Sequence, residues 1–268
     1  MLWFTSRRRL TKAYLRFRSD LMPQTMDAII LSGGFGLRLQ GVIGDLPKPM
    51  APIAGRPFLE LLLRQLKRHG FSRVILSVGY KSEIIREHFG EKAFGMELLY
   101  SVETSPLGTG GALREAGRYM KTETAVVMNG DSYTDVDLRD VVRGHAKNKT
   151  DVTVIVISET RSDAGSVVLD RDGRVMTFAE KRVVPDSRYL SAGIYVVNKG
   201  LIGLIPSSGK ISLEEQLFPE WLANGRRIEG FVFDGWCIDI GTPERYQKAQ
   251  SVLNKVETQA VMECEGRP

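Results

Sequence analysis

Residues 28–49 read AIILSGGFGLRLQGVIGDLPKP, and this stretch constrains the chain more than any other. Ala28-Ile29-Ile30-Leu31 is a short, unbroken apolar run, the pattern of a strand buried on both faces. Ser32-Gly33-Gly34-Phe35-Gly36 ends it with three glycines in four residues. Glycine admits positive φ and close approach of another group. A loop of this kind after a strand turns backbone N–H groups inward and makes a nest for phosphate oxygens. Arg38 follows, and Lys48 sits between Pro47 and Pro49, whose fixed φ holds it in an extended segment. A glycine cradle with two fixed cations suits a polyphosphate. A tight βα turn is the plainer alternative for the glycines alone.

The turn is not the dinucleotide pattern G-x-G-x-x-G, because Leu39 stands where the third glycine belongs. It is not a P-loop either, since no Gly-Lys-Ser/Thr follows. The combination GG-x-G-x-R-L with Pro47-Lys48-Pro49-Met50 resembles the sugar-1-phosphate nucleotidylyltransferases. The resemblance runs from about Met26 to Lys255. It implies a doubly wound, mostly parallel α/β sheet in a three-layer sandwich; the hexapeptide β-helix that some members carry is not expected from this sequence.

Length and charge agree with one large α/β domain or two small ones. The chain has 268 residues, 43% of them apolar, and a formal charge of +5. The first 25 residues hold six of the 37 basic side chains and one of the 32 acidic ones, so 31 of each remain in the body. Global basicity therefore says nothing about partners, and neither nucleic-acid binding nor membrane insertion is expected. The arm itself, with Arg7-Arg8-Arg9, reads as a disordered extension or an upstream start before Met26. Its basic amphipathic composition could also touch an anionic membrane surface. Two cysteines, Cys237 and Cys264, have no zinc spacing, and a reducing cytoplasm is the default. A homo-oligomer is compatible with all of this.

Along the chain, helical periodicity predicts helices over 58–70, 82–89, 107–119, 138–147, 212–223 and 243–255. Apolar runs predict strands over 74–78, 97–102, 125–128, 151–158, 190–197 and 231–239. Residues 166–169 and 175–179 flank Asp170-Arg171-Asp172-Gly173, a hairpin signal. Residues 256–268 read as a tail. The alternation of strand and helix argues a parallel sheet with crossover helices. Ligands bind such sheets beyond the carboxyl ends of the strands, where both the glycine loop and Asp131 should lie.

Asp131, in Asn129-Gly130-Asp131, ends an apolar strand and can hold a hard divalent cation alongside phosphates. A turn or N-cap aspartate is the alternative. Asp239 lies among apolar neighbours, where a lone carboxylate is costly unless paired or metal-bound. Thr242-Pro243 reads as a helix start. The resemblance matches Asp239-Ile240-Gly241-Thr242-Pro243 to the family pattern D-x-G-T-P, and implies that Asp131 and Asp239 share one magnesium ion. It also implies that Arg38 and Lys48 are catalytic. Leu31, Ser32, Gly33, Gly34, Gly36, Arg38 and Lys48 would line the triphosphate. Glu103-Thr-Ser-Pro-Leu-Gly-Thr-Gly-Gly-Ala112 resembles the nucleobase loop. There Glu103 and Thr109 would meet the nucleotide, and Gly108 and Gly111 would let backbone approach a flat ring. Gly165, Glu180, Lys181, Ala192 and Gly193 match sugar-phosphate positions, with Glu180 on sugar hydroxyls and Lys181 on the phosphate. His69, His88 and His145 fall outside every motif. No general base is needed, because a sugar phosphate is already an anion.

The expected reaction is in-line attack of a sugar 1-phosphate on the α-phosphorus of a nucleoside triphosphate, with pyrophosphate leaving. Within the family, LPKPMAPI, Arg56-Pro57-Phe58-Leu59-Glu60 and PLGTGGAL look most like the heptose-1-phosphate guanylyltransferases. UDP- or dTDP-hexose synthesis is the runner-up, and no side-chain argument from sequence separates guanine from a pyrimidine. An inert homologue would lack Arg38, Lys48 or a metal carboxylate, and all are present. A glycosyltransferase would use an Asp-x-Asp motif, for which Asp135-Val136-Asp137 has the form.

Overall fold

The computed structural model describes residues 26–159, 165–180, 182, 184 and 187–265, with side chains through Asn254. The basic arm and Lys181 lie outside the described residues. Asp27–Ser32 forms β1, and it lies between Arg73–Val78 (β2) and Thr124–Asn129 (β4), parallel to both. Met96–Val102 (β3) extends the sheet beyond β2, again parallel. The predicted doubly wound core is therefore present.

The helices pack where the strand pattern directs them. Alternate residues of a strand point to opposite faces. Ala28 and Ile30 join a core with Phe58 and Leu62 of helix α1 (Phe58–Arg68), Leu138 of α4 (Leu138–Asn148) and Tyr246 of α6 (Pro243–Glu265). Ile29 joins a second core with Leu113 of α3 (Gly108–Gly117) and Phe218 of α5 (Phe218–Ala223). A further helix, α2, spans Ser82–Phe89. Helices on both sides of the sheet make three layers. Each fully buried Ile, Leu or Val contributes about 1.5–3 kcal/mol, so these central strands carry much of the stability.

The second half of the sheet is mixed, with antiparallel pairing around one long strand. Tyr189–Asn198 (β9) pairs antiparallel with β4, with Val152–Ile157 (β6) and with Ser166–Leu169 (β7). The pairing with β6 shifts register between Ser191 and Tyr195, where Gly193 has φ +71°. β7 and Val175–Ala179 (β8) form the predicted hairpin, and Asp170 Oδ1 accepts from Asp172 N and Arg174 N in its turn.

Three expectations need correction. The strand expected over 231–239 is two strands. Ile228–Phe233 (β10) runs parallel to β6, and Cys237–Asp239 (β11) pairs instead with Ser132–Thr134 (β5). The break falls at Asp234–Trp236, where Trp236 N donates to Asp135 Oδ1 and turns the chain away from the sheet. The helix expected over 212–223 begins as a π-turn, Leu213–Leu217, before α5. Pro219 cannot donate to the carbonyl of Glu215, and the local ladder accommodates that loss with a wider turn. Finally, α6 continues to Glu265, past the boundary expected at 255.

Candidate active site

Two cavities open at the carboxyl ends of β1 and β4. The larger, about 540 Å³, follows the glycine loop and is lined by Leu31, Ser32, Gly34, Gly36, Arg38, Lys48 and Thr109, among others. The smaller, about 240 Å³, is lined by Gly165, Glu180, Ala192, Gly193, Asp131 and Asp239, with Tyr195 and Arg245. Arg38, Asn129, Asp131 and Gly241 line both, so the cavities meet there.

Local geometry explains the glycine loop. Gly36 has φ +62°, and a Cβ there would sit 2.8 Å from the Cβ of Lys48. Glycine at this point lets the Lys48 segment close over the loop. Lys48 does not lie in the extended segment expected from its flanking prolines: it starts a single 3₁₀ turn, Lys48–Met50, and only Pro47 before it is extended. The Lys48 side chain is 15% exposed, and the ammonium donates to Asp131 Oδ2 at 2.5 Å. Burial pushes the Asp131 carboxyl pKa up, but Lys48 and the Ser132 hydroxyl more than offset this, and the net direction is down. Arg38 is exposed on the turn Leu37–Leu39.

The two acidic residues are brought together by a ribbon. β5 and β11 pair antiparallel with Asp239 opposite Ser132, and Ile240 N donates to the Asp131 carbonyl at 2.9 Å. Tyr133 and Trp236 stack across it with ring centroids 5.7 Å apart. Arg245, in the first turn of α6, donates to both Asp239 oxygens at 3.0 and 3.2 Å, and Gly241 N donates to Asp239 Oδ1. Asp239 is thus charge-compensated within the protein, and its apolar surroundings alone do not require a metal.

Two carboxylates lining one cavity nevertheless fit a hard divalent cation. Among the described residues, no group of three or more His, Cys, Asp or Glu could hold a metal. A cation here would take its other oxygens from phosphates and water, as magnesium commonly does. Ser32 Oγ, beside the larger cavity, and Asn129 Oδ1, where the cavities meet, are buried with no hydrogen-bond partner among the described residues. Buried orphans of this kind mark places where a ligand or water supplies the partner.

The 103–112 loop, expected to meet the nucleobase, packs closely against protein at Gly108 and Gly111. A Cβ on Gly108 would lie 2.4 Å from the Ile211 carbonyl, and one on Gly111 would lie 2.9 Å from Leu107 Cβ. These glycines admit the 209–213 segment, whose Ile211 carbonyl accepts from Gly110 N and Gly111 N. Glu103 lies directly under Gly33, where a Cβ would meet its Oε1 at 2.0 Å. Its oxygens accept from Ser77 Oγ and Leu107 N, and burial pushes its pKa up.

Sequence reasoning missed Asn129, Arg245, Tyr195 and Glu214, which also line the smaller cavity. Asn129 adjoins the Asp131 motif, and a Cβ on Gly193 would meet its amide at 2.8 Å. The others come from elements whose approach only the fold determines. The Asp-x-Asp alternative has structural employment instead. Asp135 accepts from Trp236 N, and Asp137 caps α4 by accepting from Arg139 N. His145 is buried among Thr150, Thr153 and Asn198, and burial lowers the pKa of His69 to about 4. No helix among the described residues is long and apolar enough to cross a membrane.

Comparison with known proteins agrees with this arrangement. The profile of the family described as "Nucleotidyl transferase" matches residues 27–256. The chain is 40% identical over 228 residues to a D-glycero-alpha-D-manno-heptose 1-phosphate guanylyltransferase of Aneurinibacillus thermoaerophilus, covering 85% of this chain and 98% of that one. It is 39% identical to the enzyme of the same name from Campylobacter jejuni, over 82% of this chain and 97% of that one. The solved structure of HddC from Yersinia pseudotuberculosis complexed with GMP-PN superposes with a TM-score of 0.74 at 32% identity, covering 85% of this chain and 99% of that one. The chain belongs to the nucleotidyl transferase family and is a sugar-1-phosphate nucleotidylyltransferase.

Proposed function

We propose that the enzyme joins GTP to D-glycero-α-D-manno-heptose 1-phosphate and releases pyrophosphate. The observation that carries this reading is the junction itself. Arg38, Asn129, Asp131 and Gly241 line both cavities, so substrates in the two would meet beside Lys48. The 540 Å³ cavity takes the triphosphate, and the 240 Å³ cavity takes the sugar phosphate.

The sugar phosphate is itself the nucleophile, so the residues' work is positioning and charge stabilisation. Arg38 holds the β- and γ-phosphates and then the departing pyrophosphate. Lys48 neutralises the α-phosphate as charge develops on it. Glu180 accepts from sugar hydroxyls at the wall formed by Ala192 and Gly193. Lys181 would meet the sugar's phosphate. Asp131 and Asp239 would hold magnesium, which when bound neutralises phosphate charge as a Lewis acid. The enzyme works in the cytoplasm, where nucleoside triphosphates are made.

Glu103 supports guanine. A carboxylate anchored on Ser77 and Leu107 offers acceptors, and guanine presents its N1–H and amino group as two adjacent donors. Uracil and thymine flank their single N–H with carbonyl oxygens, which a carboxylate repels. The similarity to guanylyltransferases acting on a heptose phosphate supports the sugar. Pyrophosphate release tests the whole reading, with GTP, UTP and dTTP each offered heptose, mannose and glucose 1-phosphates. GTP with the heptose phosphate should give the highest kcat/KM. Preference for UTP or dTTP would remove the guanine assignment, and preference for a hexose phosphate would remove the heptose.

A further inference from the structure

Glu214 has no place in the reaction just described, yet it is 8% exposed and lines the smaller cavity. Its hydrogen-bond donors point in two directions. Thr109 Oγ1, at the wall of the larger cavity, donates to Oε2 at 2.5 Å. Tyr195 Oη, at the wall of the smaller one, donates to Oε1 at 3.2 Å. Ser212 Oγ adds a third hydroxyl at 3.4 Å.

The chain of contacts continues on both sides. Leu213 N donates to Thr109 Oγ1 at 2.8 Å, which orients that hydroxyl toward the carboxylate. Ser191 Oγ donates to Tyr195 Oη at 3.4 Å, and Gly193 N donates to Ser191 Oγ at 3.2 Å. Gly193 is the left-handed residue in the register shift of β9, and it forms the wall of the smaller cavity. Two lines of hydrogen bonds therefore converge on the Glu214 carboxylate, one from that wall and one from the nucleobase loop.

Burying a carboxylate among hydroxyls is an expensive way to fill space, and an apolar residue would pack there at lower cost. Glu214 is moreover held inward by the π-turn over Leu213–Leu217, a distortion that recurs at functional sites. Removing either hydroxyl leaves the carboxylate partly unsatisfied, so each wall is more firmly held when the other is in place.

We propose that Glu214 is a positioning residue for both substrates, fixing Thr109 at the nucleotide cavity and, through Tyr195 and Ser191, Gly193 at the sugar cavity, so that filling one cavity orders the other. This rests on the assignment of the two cavities given above. It predicts that the two substrates tighten one another's binding, by the same factor in each direction.

The test is calorimetric. A non-reacting α,β-methylene analogue of the triphosphate is titrated with and without saturating sugar 1-phosphate, using the pair that the pyrophosphate-release panel selects. A panel that selects another pair overturns the substrate assignment alone, and this titration proceeds with that pair. The unmodified enzyme should show tightening of about fivefold or more, in the usual range for coupled sites. Tyr195→Phe loses one hydroxyl and keeps its ring against Phe218, 5.1 Å between centroids. It should bind the analogue alone within about twofold of the unmodified enzyme and lose most of the tightening. Glu214→Gln should lose it as well. Full tightening in both variants, or none in the unmodified enzyme, overturns the proposal. So does an equal loss of both substrates' separate affinities together with a lowered Tm, because that is what a merely structural residue would give.

Discussion

At the scale of single residues, the Lys48–Asp131 pair decides how the site behaves. A side chain 15% exposed donates to one 35% exposed, so the pair is partly shielded from solvent. Removing one preorganised donor from a developing charge commonly costs about 10²–10³ in kcat. Lys48→Ala should lose turnover on that order in a pyrophosphate-release assay, and near-normal turnover would take Lys48 out of the chemistry. The same pair makes a pH prediction. Asp131 has its pKa lowered from 3.8, so its ionised form is favoured by folding. The pair's stabilising contribution is present above the unfolded value and is lost as pH falls through the lower folded value. The stability difference between the unmodified enzyme and Lys48→Ala should therefore be full near neutral pH. It should shrink below about pH 4 in chemical denaturation, following the carboxylate's unfolded titration.

At the scale of elements, the β5–β11 ribbon sets the relation between the two acidic residues. Asp131 and Asp239 are 108 positions apart in the chain and reach one cavity because Asp239 pairs with Ser132. The stacked Tyr133 and Trp236 hold the ribbon closed. An aromatic pair of this kind contributes about 0.5–1.5 kcal/mol beyond area burial. Trp236→Ala should raise the magnesium concentration for half-maximal rate by roughly fivefold, the equivalent of about 1 kcal/mol. The KM for triphosphate at saturating magnesium should change less. An unchanged magnesium requirement would show that the ribbon does not govern the carboxylates. The π-turn before α5 belongs to this scale too. Ser212 Oγ accepts from Glu215 N, and Ser212 N donates to Gln216 Oε1, which together cap its start.

For the whole molecule, the internal cations matter. Lys48 compensates Asp131 and Arg245 compensates Asp239, so folding should not depend on a bound metal. EDTA should abolish activity while leaving Tm within about 1 °C, and a fall of several degrees would mean a structural ion. The glycine loop, Lys48, Asp131 and Glu180 were legible in the sequence because each belongs to a short motif whose conformation is local: a turn, a proline-fixed segment, a strand end. The apolar strands β1, β2 and β4 were legible for the same reason, since burial on both faces leaves an unbroken apolar run. Arg245, Tyr195 and Glu214 were not, and neither was the packing of Gly108 and Gly111 against residues 209–213. These placements depend on which distant segment arrives: 209–213 against the 108–111 turn, α6 against Asp239, β9 against the π-turn. Local residue pattern determined the buried strands, the glycine loop and the chemical class. Tertiary packing alone decided how the two cavities are joined, because hydrogen bonds and ion pairs between remote segments depend on distance in space and leave no period in the chain.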